Sequence, residues 1–311
     1  MFVAWSGSCF PHLISKREAC DASLARSSGG IGGIARREPR ASANASQCRR
    51  QFSILGDFVK NVGGDRVAVT TLVGPDGDVH VYTPTPADVR KIADAKLLVI
   101  NGFGLEGWLP RLLQAAGNRA SIVTVTSGIT PLKAGSDADP HAWQSVANAG
   151  KYVANIRDAL IAADPPDADF FRQNAQAYLA KLDALDGEVR QALSRIPEGH
   201  RRVISTHDAF GYFVARYGIQ FIAPVGVSTE AEPSARDIAK IIGQVKVEHI
   251  PAVFLERIGD PRLMQRISAE TGARIGGTLY SDALTGEKGD APTYIDMVRH
   301  NITTLTSALA N

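Results

Sequence analysis

A long helical pattern, ADFFRQNAQAYLAKLDALDGEVRQALSRI, occupies residues 168–196 near the middle of this chain. Its apolar residues recur every three or four positions, the spacing of one face of an α-helix; they are Phe170, Phe171, Ala175, Tyr178, Leu179, Leu182, Leu185, Val189 and Leu193. At 1.5 Å per residue such a helix spans about 45 Å, the length of a lobe or more. We therefore expect a stiff connector between two lobes, unlike a flexible Gly/Ser hinge.

Short β-branched runs alternate with amphipathic helical patterns on both sides of this helix. The runs predicted as strands are residues 52–55, 67–73, 97–100 and 121–126 before it, and 202–206, 221–225, 252–256 and 274–279 after it. The predicted helices are one that follows residues 52–55 and is closed by Gly63-Gly64, and residues 86–95, 108–116, 142–163, 234–247, 261–271 and 293–310. This alternation is typical of βα units on mainly parallel sheets. The predicted fold is α/β, with two (β/α) lobes at 52–165 and 199–311 joined by a linking helix at 166–198.

The overall composition is that of an ordinary globular protein. Of the 311 residues, 44% are hydrophobic and 21% are charged, which is enough apolar material for two cores. The net charge of +2 lacks the strong basic excess of proteins that bind nucleic acid, so nucleic acid is not an expected partner. The sequence holds no run of about 18 apolar residues, so we predict no membrane span.

The first fifty residues differ from the remainder. They hold eight Lys or Arg, three Asp or Glu and all three cysteines, Cys9, Cys20 and Cys48. The other 261 residues therefore carry 26 basic and 29 acidic side chains and no cysteine. A thiolate metal site is excluded there, so any metal must be held by His, Asp and Glu.

Residues 1–51 do not match a secretory signal. The pattern of a basic start, an apolar core of about 7 to 15 residues and a small-residue cleavage site is missing. No lipobox precedes Cys9 or Cys20, and residues 26–50 are rich in Ser, Gly, Ala and Arg without any period. We predict that residues 1–51 are disordered. A wrong start site or a frameshift near Phe52 would explain this segment.

Three of the seven histidines follow predicted strands in turn-rich loops. They are His80, His141 and His207, and Asp282 follows the last predicted strand. Open α/β sheets place ligands at the carboxyl ends of their strands, so these side chains are expected to meet in the cleft between the lobes. Each one alone is typical of a solvated or capping residue, but together they form a His3Asp set, a donor set that suits a metal ion.

The segment GFGLEG at 102–107 matches the dinucleotide-binding pattern of three glycines. It follows the third predicted strand of its lobe instead of the first, and the next strand is not followed by an acidic residue for a ribose hydroxyl. We interpret it as a tight turn, with NAD binding as the alternative.

Five motifs together resemble the zinc- and manganese-binding solute-binding proteins of ABC transporters, the ZnuA/TroA-like family, and most of all its AztC-type zinc-binding branch. They are GPDGDVHVYTPTP at 74–86, DPHAW at 139–143, THDAFGY at 206–212, EAEPS at 230–234 and LYSD at 279–282. The resemblance extends from about residue 52 to the C-terminus. One departure is Thr83, where the family usually has Glu.

The resemblance implies a single metal in the interlobe cleft, held by His80, His141, His207 and Asp282. It implies a periplasmic receptor without enzymatic activity that passes the ion to the membrane subunit of an ABC permease. A periplasmic metallochaperone is a further candidate partner, and a monomer is expected. The zinc branch often carries a long His-rich loop, whereas the loop at 133–139 here is short, acidic and free of histidine.

The donor set favours Zn(II), because three imidazoles and one carboxylate are softer than the ligands of the manganese members, which replace the third His by Glu. His207 is thus the discriminating residue, and a manganese receptor is the alternative within the family. A zinc-dependent hydrolase with Asp282 or Asp208 as base is the alternative of another class. The chain lacks an H-E-x-x-H helix, and four protein ligands leave no open position for water, which argues against catalysis.

Overall fold

Helix α5 (Ala168–Leu193) is the connector predicted from its apolar period, and its 26 residues span about 39 Å in the computed structural model. The structure describes residues 53–117 and 120–310. The residues of α5 that are buried are Phe171, Ala175, Tyr178, Leu182, Leu185, Val189 and Leu193. They pack against helices on both sides of the connector, which makes α5 part of the core.

The N-terminal lobe contains four helices and a small parallel sheet among its described residues. Its elements are α1 (Ile54–Gly63), α2 (Pro86–Ala93), β1 (Leu97–Ile100), α3 (Leu109–Ala116), β2 (Ser121–Thr124), β3 (Lys133–Ala134), β4 (Asp137–Ala138) and α4 (Val146–Ala163). Strands β1 and β2 pair in parallel, and β3 and β4 form a short antiparallel hairpin. A 3-10 turn, Ala142–Gln144, precedes α4, whose N-cap is Ser145.

The C-terminal lobe contains a four-stranded parallel sheet. Its elements are β5 (Arg202–Ile204), α6 (Gly211–Tyr217), β6 (Gln220–Ile222), α7 (Ala235–Glu248), β7 (Ala252–Glu256), α8 (Pro261–Thr271), β8 (Arg274–Leu279) and α9 (Tyr294–Leu309). The strand order is β6-β5-β7-β8, and every pair is parallel. The prediction of an α/β protein with two lobes and mainly parallel pairing is confirmed.

A glycine pair sets the register at the edge of this sheet. The β7–β8 pairing shifts between Val253 and Phe254, opposite Gly276 and Gly277. A Cβ atom on Gly276 would lie 2.6 Å from the ring of Phe254, and Gly277 has a φ of +130°. Only glycine fits both requirements. The bulge lies just before the residues that lead to Asp282.

One continuous apolar core extends through both lobes. It includes Phe58 and Tyr152 from the N-terminal lobe, Leu185 from α5, and Phe254 and Tyr294 from the C-terminal half, all fully buried or nearly so. One smaller apolar cluster lies under α7 and α8, and another lies under α2 and α3. Because the main core is shared, the lobes are joined at their base by close-packed side chains.

Two predicted strands are wrong. The run at 52–55 is not a strand, because Ile54 begins α1, where Ile54, Leu55, Phe58, Val59 and Val62 form one buried helical face. Packing of that face overrides the local β-propensity. The run at 67–73 carries a single bridge residue, Thr70, and the chain bends at Leu72 and Val73.

The loop at 133–139 has regular structure. This short, acidic segment is exposed for the most part but forms the β3–β4 hairpin. The prediction of disorder for residues 1–51 lies outside the described residues. The boundaries 52–165, 166–198 and 199–311 stay predictions. Within the described parts of the chain, we find no helix with the length and apolar character needed to cross a bilayer.

Candidate metal centre

His80 lies in the loop at 74–82, between α1 and α2. Its backbone N–H donates to Oδ1 of Asp78 at 2.8 Å, which bends the loop so that the imidazole faces the other lobe. The neighbouring Val79 is fully buried, and Trp108 donates its indole N–H to the Val79 carbonyl at 3.1 Å. Burial and this hydrogen bond attach the loop to the N-terminal lobe.

His141 comes just before the 3-10 turn that leads into α4. Its Nδ1 atom lies 2.8 Å from Oδ1 of Asp139, and the same oxygen accepts the backbone N–H of His141 at 2.9 Å. The carbonyl of Pro140 accepts from the Asn101 side chain, which in turn accepts from the hydroxyl of Tyr152. The ring is therefore held in one orientation, with Nε2 directed away from Asp139.

His207 follows β5 and forms an isolated parallel bridge with Val225. Its backbone N–H donates to Oε1 of Glu256 at 2.9 Å, and its Nδ1 lies 2.6 Å from Oε2 of the same carboxylate. Glu256 ends the neighbouring strand β7 and is 4% exposed. Glu256 thus orients the imidazole of His207 in the same way as Asp139 orients the imidazole of His141.

Asp282 follows β8 and is fully buried. The carbonyl of the preceding Ser281 accepts from the indole N–H of Trp143 at 2.8 Å and from the amide of Gln144 at 2.7 Å. These donors belong to the other lobe, to the turn directly after His141. The contacts between the lobes therefore bring Asp282 next to His141.

The four predicted residues meet in one buried cluster. One donor atom from each of His80, His141, His207 and Asp282 lies within 4.8 Å of the others. The Nε2 atoms of His80 and His141 are 3.3 Å apart. Asp282 Oδ2 lies 3.1 Å from Nε2 of His207 and 3.5 Å from Nε2 of His80, while Oδ1 lies 3.5 Å from Nε2 of His141.

The centre of this cluster contains polar atoms without hydrogen-bond partners among the described residues. They are both carboxylate oxygens of Asp282 and Nε2 of His207. A buried carboxylate without a donor costs several kcal/mol, so such groups are normally paired or coordinate metals. With hydrogen on the Nδ1 atoms that face Asp139 and Glu256, the opposite Nε2 atoms present lone pairs to the same point. The donor atoms therefore suit a small cation.

The charged groups of the cluster shift the pKa values of His207 and Asp282. Burial alone would lower the pKa of His207, but the negative charges of Glu256 and Asp282 outweigh it and hold this pKa well above its usual value. Burial alone would raise the pKa of Asp282, but the adjacent His207 and His141 hold it well below its usual value. In the metal-free protein, a proton on His207 thus partly compensates the negative charge of Glu256 and Asp282. In the metal-bound protein, the cation would take over this role.

The carboxylates that contact His141 and His207, those of Asp139 and Glu256, are residues that the sequence analysis did not single out. Asp139 stands two residues before His141, and Glu256 ends a predicted strand, so a search for acidic residues near predicted ligands and at strand ends could have found them. Carboxylates of this kind fix the tautomer of a metal-ligating histidine and raise its basicity.

The glycine-rich segment is a turn closed by its own side chain. The carboxylate of Glu106 accepts the backbone N–H groups of Asn101 at 2.7 Å and of Gly102 at 3.2 Å. These N–H groups are the donors that a phosphate would need. Gly102 and Gly104 have φ values of +90° and +81°, so the glycines serve the turn geometry. The interpretation as a tight turn accounts for all of these contacts.

The structure is that of a protein with two α/β lobes and a buried cluster of potential metal ligands in the cleft between them. The comparison with known families agrees. The family model of zinc-uptake complex component A, periplasmic (ZnuA), matches residues 51–308. The chain belongs to this family, the metal-binding solute receptors of ABC transporters.

Two relatives illustrate the range of the family. The iron-binding protein YfeA of Yersinia pestis is 36% identical over 277 residues, which is 88% of this chain and 89% of the relative. The manganese-binding lipoprotein MntA of Halalkalibacterium halodurans is 36% identical over 260 residues, 83% of this chain and 87% of the relative. The names of these proteins refer to different metals.

Solved structures show the same fold. The periplasmic zinc-binding protein TroA from Treponema pallidum superimposes with a TM-score of 0.80 at 32% identity, covering 84% of this chain and 98% of TroA. A Mn-bound periplasmic metal-binding protein from Candidatus Liberibacter asiaticus has a TM-score of 0.75 at 31% identity, covering 82% of this chain and 96% of that protein. Members of the family are receptors, so this chain is a binding protein and not an enzyme.

Proposed function

We propose that this chain is a periplasmic receptor that captures Zn(II) with His80, His141, His207 and Asp282 and delivers it to the membrane subunit of an ABC permease. The proposal rests on one observation, the convergence of three buried imidazoles on the buried carboxylate of Asp282, with one donor atom from each residue within 4.8 Å of the others. Family membership supports the transport role. Export to the periplasm is supported by the names of the relatives, which include periplasmic proteins and lipoproteins.

Zinc is favoured by the ligand chemistry. Three neutral imidazoles and one carboxylate match a four-coordinate zinc site, and in the Irving–Williams order zinc binds more tightly than manganese at such donors. Glu256 orients His207, the ligand on which the distinction from manganese depends. Manganese is the second candidate, because the relatives include MntA, which is named as manganese-binding.

The geometry of the four-residue cluster fits a bound and transported ion better than a catalytic one. All four ligands are protein side chains, and none is more than 6% exposed. A catalytic zinc keeps one position open for water, whereas a closed set of four protein ligands does not. Asp282 lies among the imidazoles as a ligand and not as a separate base, and Asp208 is exposed at the surface.

The proposal is tested by metal analysis and competition titration of the full chain. After dialysis against Zn(II) and chelator washing, we expect about one zinc per chain. His80→Ala and His207→Ala should each lose it. His249→Asn is the matched control, because His249 lies outside the cluster and its φ of +50° is one that Asn tolerates.

A wild-type chain that retains no zinc, or a His207→Ala variant that binds zinc as the wild type does, would contradict the assignment. Tighter retention of Mn(II) than of Zn(II) in direct competition would favour the manganese receptor. The metallochaperone partner, the monomeric state and the AztC-type branch stay predictions from the sequence.

A further inference from the structure

Of the three histidines in the cluster, only His80 has no carboxylate at Nδ1 among the described residues. Nδ1 of His141 faces Asp139 and Nδ1 of His207 faces Glu256, but within the described part of the chain the contacts of the His80 ring are with His141, His207 and Asp282. The position of His80 therefore depends on its backbone, and through it on the loop at 74–82.

One carboxylate connects this loop to the opposite lobe. Oδ1 of Asp78 accepts the backbone N–H of His80 at 2.8 Å, while Oδ2 accepts the hydroxyl of Thr229 at 2.6 Å. Thr229 lies in the C-terminal lobe, in the segment between β6 and α7. The two oxygens of Asp78 thus hold a ligand backbone on one side and the facing lobe on the other.

A second contact joins the same loop to the same lobe. Oδ1 of Asp76 lies 2.9 Å from Nε of Arg257, and the backbone N–H of Asp76 donates to the carbonyl of Leu284 at 3.1 Å. The Asp76 and Arg257 side chains are 37% and 51% exposed, so this ion pair lies at the rim of the cleft. A pair that is this exposed contributes little alone and is weakened by salt.

The interlobe contacts on the other side of the cluster are of a different kind. Trp143 and Gln144 donate to Ser281, and these three residues are at most 4% exposed. Breaking these bonds would leave buried polar groups without partners, which is costly. At the rim, groups released from Asp76 and Asp78 can be solvated by water. Opening is therefore easier on the His80 side.

The geometry points to a latch formed by Asp78 and Thr229, assisted by Asp76 and Arg257, that controls how fast the bound ion leaves the cleft on the His80 side. This inference rests on the proposed function, since it needs an ion held by the four ligands. Because Val79 is buried and its carbonyl accepts the indole N–H of Trp108, the loop stays with its own lobe, and loss of the latch lets His80 separate from His207 and Asp282. Thr229 is a positioning residue and touches no ion itself.

The test compares Thr229→Val with Thr229→Ser in the full chain. Valine has the shape of threonine without the hydroxyl, whereas serine keeps the hydroxyl. Zn(II)-loaded protein is mixed with excess chromogenic chelator to measure the dissociation rate, and competition titration gives the affinity. Circular dichroism verifies that each variant is folded.

For Thr229→Val we expect dissociation about tenfold faster, which corresponds to about 1.4 kcal/mol and lies at the low end for a hydrogen bond to a charged group. The affinity should fall by the same factor, so that the association rate is unchanged. Thr229→Ser should release zinc at about the wild-type rate. A general packing defect would also change the association rate, and serine at position 229 would not restore the wild-type rates.

The ion pair is tested with Arg257→Gln, for which we expect release about two- to threefold faster at low salt and no difference at high salt. Arg262→Gln is the matched control, because Arg262 pairs with Asp260 within the same lobe and should have no effect.

Wild-type dissociation rates in Thr229→Val, or equal acceleration in Thr229→Val and Thr229→Ser, would overturn the latch while leaving the proposed function intact. A wild-type chain that does not retain zinc or manganese would overturn both.

Discussion

Nδ1 of His207 lies 2.6 Å from Oε2 of Glu256, and the two residues are 1% and 4% exposed. The second oxygen of Glu256 accepts the backbone N–H of His207 at 2.9 Å. One buried carboxylate therefore fixes both the backbone and the ring of this histidine. It favours the tautomer with hydrogen on Nδ1, which leaves the lone pair of Nε2 for a metal ion.

Glu256→Gln should lower zinc affinity about 10- to 100-fold. Glutamine can still accept the backbone N–H of His207, but its amide N–H2 would face Nδ1 and favour hydrogen on Nε2, the tautomer that cannot bind metal. Competition titration measures the change, with Glu248→Gln as control because Glu248 pairs with Arg202 at the surface. An unchanged affinity in Glu256→Gln would show that this carboxylate does not set the tautomer.

The affinity for zinc should fall as the pH is lowered, and the fall should begin above the ordinary histidine pKa of about 6.5. Glu256 and Asp282 hold the pKa of His207 well above that value in the metal-free protein, so protons compete with zinc at higher pH. The check is a competition titration between about pH 8 and about pH 6. A flat profile would contradict an imidazole-rich site.

The same raised pKa affects the stability of the metal-free protein. Because the folded-state pKa of His207 lies above the unfolded value, its contribution is fully present below about pH 6.5 and is lost as the pH rises through the folded pKa. His207→Ala should therefore reduce the pH dependence of the unfolding free energy in this range. Denaturant unfolding in the presence of chelator measures it, and an identical slope in the variant would be the contrary result.

Asp57 should make the folded protein less stable as the pH rises toward neutrality. Burial raises its pKa from 3.8 to about 6, although the Tyr294 N–H and the Tyr178 hydroxyl donate to it. Its contribution is present below the unfolded pKa and is lost as the pH rises through about 6. A shift of about 2 units corresponds to about 3 kcal/mol.

Asp57→Asn should remove that pH dependence of the unfolding free energy between about pH 4 and about pH 7. Asp65→Asn is the control, because Asp65 follows α1 with a side chain that is 85% exposed. Parallel pH profiles for the wild type and Asp57→Asn would show that Asp57 titrates normally.

Phe58→Ala should destabilise the protein by about 3 to 5 kcal/mol, the usual cost of a large cavity in a core. The Phe58 ring is fully buried, 4.8 Å from the ring of Tyr294 and 6.1 Å from that of Tyr152, so it joins α1 to α4 and α9. Denaturant unfolding measures the change. Val247→Ala is the control, since Val247 is 80% exposed and should have little effect. A loss below about 1 kcal/mol in Phe58→Ala would mean that the cavity collapses.

Much of the fold follows from local signals. The connector α5 was predicted from its apolar period, and strands β7 and β8 from short β-branched runs. The predicted strand at 52–55 is wrong because its residues Ile54 and Leu55 are used for a helical face, and the partners that bury this face are distant in the sequence. Local propensity does not report such partners.

For the candidate site, the residue types that are available and their positions relative to the strands follow from the sequence. Without cysteine after residue 48, a metal must be held by His, Asp or Glu, and His80, His141, His207 and Asp282 were predicted from their positions and motifs. That their donor atoms meet within 4.8 Å depends on the folded arrangement of the two lobes. The groups that orient them also come from distant parts of the chain, because Glu256 lies 49 residues from His207 and Thr229 lies 151 residues from Asp78. A hydrogen bond depends on distances of about 3 Å between atoms, and only packing of the two lobes on their shared core determines such distances across the cleft.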